Sequence, residues 1–409
     1  FTFNAGAAHI IADKAVSIAL EGRPGPVHID LPIAVAVAQV PATAPFSRAP
    51  AAPVIPAPNV LDQAADWLSA ANRPVIIAGL DAVNEDAAAA LTEMAERFAI
   101  PVVTTYKAKG LLPEDHALSL GGAGLSPLAD THLLPLIKQA DLIICAGYDP
   151  IEMRPGWQNI WDASQVNVID ITAVPNHHYM HQATLNIIGN TPATLNALNA
   201  AATPHTVWAD GQIKQTKSAL ETAFPKDDAW GPAAVVDVCR DELPRDTLAT
   251  VDSGAHRILL SQMWECYAPR GLMQSSALCT MGCAIPLAIG AHFIEPGRTV
   301  VSFCGDAGFL MVAGELTTAK ELNLNTIFVV FVDASLALIE LKQRQRQLTN
   351  NGVDFAQHDF AAMGKAFGGN GHTVHTRDEL RVALKAAQKA QEFTVIAAVI
   401  EKGAYDGRI

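Results

Sequence analysis

One stretch of this chain constrains the fold more than any other, and it runs from Thr299 to Glu340. Val300, Val301, Phe303 and Cys304 belong to an apolar run of strand length, and 326–332 is a second run rich in β-branched and aromatic residues. Between the two runs, 309–323 has mainly apolar residues on one face at helical spacing. The pattern predicts a strand, a helix and a second strand, the unit from which doubly wound parallel sheets are built.

An aspartate follows each predicted strand, Asp306 after the first and Asp333 after the second. A right-handed crossover brings both strand ends to one edge of the sheet, where open α/β sheets bind their ligands. Gly305, Ala307 and Gly308 keep the first turn narrow, and the next helix presents unpaired N–H groups to an anion. Two carboxylates beside an anion require a cation, and oxygen ligands suit Mg²⁺. The sequence therefore predicts a metal-bridged diphosphate site.

This stretch resembles the cofactor motif of thiamine diphosphate enzymes, a Gly-Asp-Gly sequence followed after a fixed interval by two asparagines. Here the motif begins Gly305-Asp306-Ala307, and alanine also occurs in the third place in acetolactate synthases. Asp333 lies 27 residues after Asp306, the interval of the family, although Asp333-Ala334 replaces the asparagine pair. The resemblance implies that the metal is bound by the side chains of Asp306 and Asp333 and by the main-chain carbonyl of Ser335.

The resemblance alone implies the other cofactor-binding residues. Met281, 25 residues before Asp306, matches the bulky apolar residue that holds the cofactor in its bent shape. Gly254, Ala255 and His256 match contacts to the diphosphate, although an ordinary turn or core histidine is the alternative for His256. The remaining implied cofactor contacts are Cys279, Ala307, Gly308, Asp333, Ser335, Leu336 and Ala337.

The resemblance also implies the domain organisation. Residues 1–40 match the end of a pyrimidine-binding domain, with a helix at 10–20 and a GRPGPV turn leading into a strand at 27–31. A proline-rich linker covers 41–59, a central α/β domain 60–205 and a diphosphate-binding domain 206–409, with 208–230 predicted as a loop. Nothing in 1–41 matches the glutamate that activates the cofactor in the family. A second polypeptide or fragment carrying the pyrimidine domain is therefore implied, in a dimer or tetramer of such units.

The predicted central domain contains glycine-rich segments that could form either a nucleotide-binding site or tight turns. Gly79, the Gly121-Gly122-Ala123-Gly124 loop and Gly147 lie in or near turns, but no GxGxxG motif opens a helix after a strand. Tight turns are therefore favoured over binding of FAD or ADP, which some members of the family carry in this domain.

Two polar clusters have a simple and a functional interpretation. A solvated loop is favoured over a metal site for a histidine-rich cluster that lacks an acidic or cysteine ligand. A solvated helix face is favoured over contact with a substrate carboxylate for a basic run after Asp333. The residues are Asn176, His177, His178 and His181 in the first cluster, and Lys342, Arg344 and Arg346 in the second.

Composition excludes several classes of function. A formal net charge of −13 over 409 residues argues against nucleic acid or an anionic membrane as a partner. The six cysteines form no CxxC pair, which favours reduced core thiols in a cytoplasmic protein. The implied function is thiamine diphosphate- and Mg²⁺-dependent decarboxylation of a 2-oxo acid with acyl transfer, by a carboligase (transferase) or a decarboxylase (lyase). The alternative is a non-catalytic or regulatory subunit that keeps the fold.

Overall fold

The computed structural model describes residues 5–42, 44, 52–176, 180–226, 229–275 and 278–409. Within these residues the chain forms two six-stranded sheets, whose strands run parallel and whose faces are covered by helices. The predicted α/β architecture of doubly wound parallel sheets is confirmed.

The N-terminal residues form helices and no strand. A 3₁₀ turn at Ala5–Ala7 precedes α1 (Ala8–Leu20), and a short helix α2 follows at Ile33–Ala36. The strand expected at 27–31 is wrong, because this segment pairs with no strand of the described residues. None of the α1 residues is buried.

The first sheet has the strand order β3-β2-β1-β4-β5-β6, so its topological switch point lies between β1 and β4. Strands alternate with helices along the chain, and two 3₁₀ turns at 150–152 and 155–157 follow β4. The elements are α3 (Pro58–Ala70), β1 (Pro74–Ala78), α4 (Leu80–Asn84), α5 (Ala88–Phe98), β2 (Val102–Thr105), β3 (Ser119–Ala123), α6 (Pro127–Ile137), β4 (Leu142–Ala146), β5 (Asn167–Thr172), β6 (Leu185–Ile188) and α7 (Thr191–Ala201).

Both faces of this sheet are buried, as parallel strands require. Ile76 and Ile144 point into one apolar cluster, while Val75 and Ile143 point into the cluster on the opposite face. The glycine-rich segment predicted as a loop is partly wrong, since 121–123 belongs to the edge strand β3. Glycine fits there because Gly122 packs closely against the main chain of Ser261.

The second sheet has the order β11-β12-β10-β9-β7-β8, and its switch point lies between β7 and β9. The candidate site lies at the C-terminal ends of its central strands β7, β9 and β10. The elements from 212 onward are α8 (Gln212–Ala223), α9 (Pro232–Glu242), β7 (Leu248–Val251), α10 (Ala255–Met263), β8 (Leu272–Gln274), α11 (Ala284–Ile294), β9 (Val300–Gly305), α12 (Asp306–Val312), α13 (Glu315–Glu321), β10 (Ile327–Val332), α14 (Ala337–Gln345), α15 (Phe360–Ala366), β11 (Asn370–Val374), α16 (Arg377–Ala387) and β12 (Thr394–Val399).

Two predicted elements of this region need correction. The single helix expected at 309–323 begins earlier, at Asp306, and is broken into α12 and α13 by a turn at Ala313 and Gly314, since glycine disfavours a helix interior. The loop expected at 208–230 contains α8, whose Ile213 and Leu220 pack against the core of the first sheet. The boundaries of the domains stay predictions. None of the described helices is long and apolar enough to cross a membrane.

Candidate functional site

A cavity of about 130 Å³ lies at the C-terminal ends of β7, β9 and β10, at the switch point of the second sheet. The cavity brings together eleven of the twelve residues implied by the sequence motif. These are Gly254, Ala255, His256, Met281, Asp306, Ala307, Gly308, Asp333, Ser335, Leu336 and Ala337. Cys279, the twelfth, does not line the cavity.

The carboxylate of Asp306 connects the ends of two neighbouring strands. Its Oδ2 accepts hydrogen bonds from the main-chain N–H groups of Asp333, at 3.2 Å, and Ala334, at 2.8 Å. Its Oδ1 accepts the N–H of Ala307, at 2.8 Å, in the first turn of α12. Asp306 thereby fixes the turn after β10 relative to the start of α12.

The carboxylate of Asp333 accepts fewer hydrogen bonds than that of Asp306. Its Oδ1 accepts the N–H of Ser335 at 3.2 Å, while Oδ2 is buried and has no hydrogen-bond partner in the described part of the chain. Burial, together with the charge of Asp306, raises the pKa of Asp333 to about 7. Burial also raises the pKa of Asp306, although the three main-chain N–H groups oppose the rise.

These observations fit a divalent cation at the acidic pair. A buried carboxylate oxygen without a partner is energetically costly, and a cation removes both this cost and the repulsion between the two aspartates. Carboxylate and carbonyl oxygens are the ligands that Mg²⁺ prefers. Among the described residues no group of three or more His, Cys, Asp and Glu side chains is placed to hold a metal, so the pair needs further oxygen ligands. The main-chain carbonyl of Ser335 and a phosphate can supply them.

Another wall of the cavity is built from the turn after β7. Gly254 and Ala255 begin α10, and the buried ring of His256 stacks on Phe331 with 5.3 Å between ring centroids. His256 Nε2 lies 2.7 Å from Oδ1 of Asp252. A side chain at Gly254 would contact the imidazole of His256, so glycine is required for the close approach of this turn. The wall presents main chain to the cavity, as an anion site needs.

Met281 and the start of α14 form the apolar part of the site. Leu336, Leu338 and Ile339 line the cavity on one side, and Met281 lines it from the turn before α11. Met281 precedes Gly282, whose φ of +80° lies in the left-handed region that favours glycine. Cys279 lies on the same turn with its main-chain N–H bonded to Ser275 Oγ at 3.1 Å. It shapes the turn without reaching the cavity.

Sequence reasoning missed several lining residues. Ser253 and Gly305 adjoin predicted residues, and alternation along the buried strand β10 could have indicated Phe331. No sequence signal indicated Tyr405, a buried residue of the C-terminal turn region that lines the cavity together with Asp306 and Asp333. Arg344 and Lys402 hold this region, by ion pairs of 2.7 Å with Asp406 and Asp354.

At the switch point of the first sheet, two glycines pack closely and an arginine pairs with two aspartates. Gly79 and Gly147, at the ends of β1 and β4, pack so closely that a Cβ at position 79 would overlap the carbonyl of Gly147. Arg23 enters this edge and pairs with Asp81, at 2.7 Å, and with Asp149, at 2.6 Å. Negative side chains here oppose binding of the phosphates of a dinucleotide.

The two polar clusters are placed as follows. His177 and His178 lie outside the described residues, and the ring of His181 stacks on Trp161 at 4.4 Å between centroids. Arg344 of the basic run pairs with Glu340, at 2.8 Å, as well as with Asp406. All six cysteines are free, and Cys145, Cys239, Cys266 and Cys304 are buried.

Two family models match this chain. "Thiamine pyrophosphate enzyme, C-terminal TPP binding domain" matches residues 252–398, and "Thiamine pyrophosphate enzyme, central domain" matches residues 61–198. The two matches together cover more than two thirds of the chain and include every predicted cofactor contact. The chain belongs to the thiamine pyrophosphate enzymes, and its cofactor is thiamine diphosphate.

Curated relatives include acetolactate synthases. The chain is 30% identical over 360 residues to acetolactate synthase of Bacillus subtilis, covering 85% of this chain and 62% of the relative. It is 29% identical over 403 residues to the catabolic acetolactate synthase of Raoultella terrigena, covering 96% and 71%. It is also 28% identical over 397 residues to the probable 2-ketoarginine decarboxylase AruI of Pseudomonas aeruginosa, covering 94% and 68%. The chain thus spans roughly two thirds of the length of these relatives.

Proposed function

We propose that this protein decarboxylates a 2-oxo acid and transfers the remaining acyl fragment to an acceptor, using thiamine diphosphate held through Mg²⁺ at Asp306 and Asp333. The observation that carries the proposal is the buried acidic pair at the switch point, with Asp333 Oδ2 left without a hydrogen-bond partner among the residues that the structure describes. The names of the relatives support the same substrate class, since acetolactate synthases and a 2-ketoarginine decarboxylase are among them.

Each part of the cofactor has residues suited to hold it. The carboxylates of Asp306 and Asp333 and the main-chain carbonyl of Ser335 would bind Mg²⁺, which would in turn bind the diphosphate. The main chain of Gly254 and Ala255 at the start of α10 would receive the phosphates, helped by the dipole of the helix. We therefore expect metal and diphosphate to bind together and not separately.

When bound, thiamine diphosphate supplies the electron sink that carbon–carbon bond cleavage in a 2-oxo acid requires. The residues of this chain orient the cofactor and exclude water. Met281 would support the bent cofactor, and the apolar wall of Leu336, Leu338 and Ile339 would keep water from the reacting atoms.

We also propose that a pyrimidine-binding domain of a partner subunit completes the site. The family resemblance assigns the activating glutamate to that domain, and subunits would associate as dimers or tetramers. Exposed apolar side chains on the N-terminal segment support an interface there. Five apolar side chains of this segment are each at least about a third exposed, namely Val16, Ile18, Leu20, Val27 and Ile29. Grouped exposed apolar residues mark interaction surfaces, whereas single ones are normal on any protein.

Titration calorimetry of an Asp306→Ala variant tests the metal site. Loss of a group that hydrogen-bonds to a metal ligand typically costs about 10–100-fold in metal affinity, so loss of a ligand itself should weaken Mg²⁺-dependent binding of thiamine diphosphate by about 100-fold or more. Asp246→Ala, at an exposed aspartate before β7, is the matched control and should bind as the wild type does. Equal affinity for Asp306→Ala and wild type would contradict the assignment.

A further inference from the structure

Asp252 lies directly after β7 and has not been assigned a role by the motif, although its carboxylate reaches three walls of the cavity. The residue is 1% exposed. Its Oδ1 lies 2.7 Å from Nε2 of His256 in α10, and its Oδ2 accepts the main-chain N–H of Gly282 at 2.6 Å. Because a carboxylate only accepts hydrogen bonds, the imidazole donates from Nε2.

Asp252 reaches the third wall, the start of α12, through a close packing contact and not through a hydrogen bond. A Cβ at Gly308, in the first turn of α12, would overlap Asp252 Oδ2. A side chain at Gly282 would come within 3.0 Å of the carbonyl of Gly308. The glycines at 282 and 308 therefore allow two loops to close onto one carboxylate.

We propose that Asp252 is the positioning residue of the cofactor site, holding the turn that carries Met281 in register with the start of α10 and the start of α12. The inference rests on the proposed function for its consequence and on the described contacts for its geometry. Met281 directly precedes Gly282, so the bond to Gly282 sets how far Met281 projects into the cavity. His256, held by the same carboxylate, keeps its place against Phe331.

The position of Asp252 in the sheet explains why one residue can contact His256, Gly282 and Gly308 together. The end of β7 adjoins β9 at the switch point, so loops from both halves of the sheet converge there. A charged acceptor buried among N–H donors forms strong hydrogen bonds, and removal of the acceptor leaves the donors unsatisfied. Loss of Asp252 should therefore loosen the Met281 turn before it unfolds the sheet.

Hydrogen exchange of the full chain without cofactor tests this directly. We expect Asp252→Ala to raise the exchange rate of the peptide covering 278–284 about tenfold or more, since the N–H of Gly282 loses its acceptor. Asp252→Asn, with one acceptor oxygen for two donors, should give an intermediate rate. Asp237→Ala is the matched control. Asp237 is also a buried carboxylate, it lies in α9 beside the same sheet, and it pairs with Arg377 at 2.7 Å.

Unchanged exchange at 278–284 in both Asp252 variants, or an equal rise in Asp237→Ala, would overturn the proposal. A second arm compares the binding of Mg²⁺–thiamine diphosphate with that of Mg²⁺–pyrophosphate, which does not reach Met281. Asp252→Asn should weaken the first about tenfold and the second less, and equal losses would refute positioning of Met281. If the wild type bound no thiamine diphosphate, the proposed function would fail, while the exchange experiment would still decide the role of Asp252.

Discussion

Asp333 carries a carboxylate where thiamine diphosphate enzymes usually have asparagine. The structure shows the consequence, which is a buried acid beside Asp306 with its pKa raised to about 7. In the unfolded chain the pKa of an aspartate is about 3.9. Between these two values the folded state binds more protons than the unfolded state, so the stability of the metal-free protein should fall as pH rises from about 4 to 7.

An Asp333→Asn variant should remove this pH dependence. Asparagine keeps one oxygen ligand and has no charge to bury, so we expect the melting temperature in chelator to exceed that of the wild type by about 2 °C or more at pH 8 and to match it near pH 4. Differential scanning calorimetry across this range measures the effect. The variant should retain Mg²⁺-dependent binding of thiamine diphosphate.

Asp170→Asn is the matched control for that experiment. Burial raises the pKa of Asp170, which lies inside β5 of the other sheet, to about 6. Its pH effect should persist when Mg²⁺ and thiamine diphosphate are added, whereas the difference between wild type and Asp333→Asn should shrink. If the difference in melting temperature between wild type and Asp333→Asn were the same with and without Mg²⁺ and thiamine diphosphate, the metal assignment would be contradicted.

Met281 should affect turnover more than diphosphate affinity. Met281→Ala leaves the acidic pair and the start of α10 intact, so binding of Mg²⁺–pyrophosphate should change less than about threefold, while decarboxylation of pyruvate falls about 100-fold because the reacting groups lose their alignment. Calorimetry and a coupled decarboxylation assay, run with the pyrimidine-domain partner present, give the two values. Met281→Leu keeps the apolar bulk and should restore most of the turnover; equal losses in both assays would make Met281 an ordinary packing residue.

At the scale of elements, the Gly22–Gly25 turn is fastened to the first sheet. Arg23 is about one third exposed and pairs with two aspartates, of which Asp81 is buried. Arg23→Ala should lower the free energy of unfolding by about 1–3 kcal/mol, between the values for exposed and buried pairs, because Asp81 and Asp149 then repel each other. Urea denaturation measures this change.

Limited proteolysis should show where the Arg23 variant is altered. Cleavage within 5–33 should become faster in Arg23→Ala, since the segment has lost its attachment to the sheet. Lys320→Ala removes an ion pair with Glu392 that is more than a third exposed on both sides, and it should cost less than about 1 kcal/mol without a change in cleavage. Equal cleavage of both variants would show that Arg23 does not hold this segment.

Strands with strong local signals were predicted well, and elements that depend on distant contacts were not. The run at 326–332 was predicted as a strand and forms β10 (Ile327–Val332), because a short continuous apolar run is typical of a buried parallel strand. The strand expected at 27–31 failed, because a strand needs a paired neighbour and none of the described strands pairs with it. α8 was missed, since its few apolar residues gain their burial from the first sheet.

At the scale of the molecule, the proposed completion of the site by a pyrimidine-binding domain can be tested with purified components. The purified 409-residue chain, given Mg²⁺, thiamine diphosphate and pyruvate, should show no decarboxylation above the rate without protein. Addition of a pyrimidine-binding domain that carries the activating glutamate should produce turnover, and light scattering should show that the two associate. Turnover by the chain alone, verified as one species by intact mass, would show that the shared-site proposal is wrong.

The N-terminal apolar surface should mediate that association. Val16→Lys and Leu20→Lys place charges on side chains that are 60% and 71% exposed, so they should reduce self-association while leaving the melting temperature nearly unchanged. The same variants should weaken binding to the pyrimidine-binding domain. Lys14→Glu, on the same helix, tests whether any change of charge on α1 has this effect.

The sequence by itself determined the strand-helix-strand unit, the two aspartates at its strand ends and the cofactor they imply. These features are local, since the pattern of apolar residues places Asp306 and Asp333 at one sheet edge once the crossover is right-handed. Only the tertiary structure decided that Asp333 Oδ2 has no hydrogen-bond partner in the described part of the chain, that Tyr405 lines the cavity with the acidic pair, and that Asp252 joins Gly282 to His256. Those contacts join residues from separate elements, whose meeting depends on the packing of the whole sheet and not on any one segment.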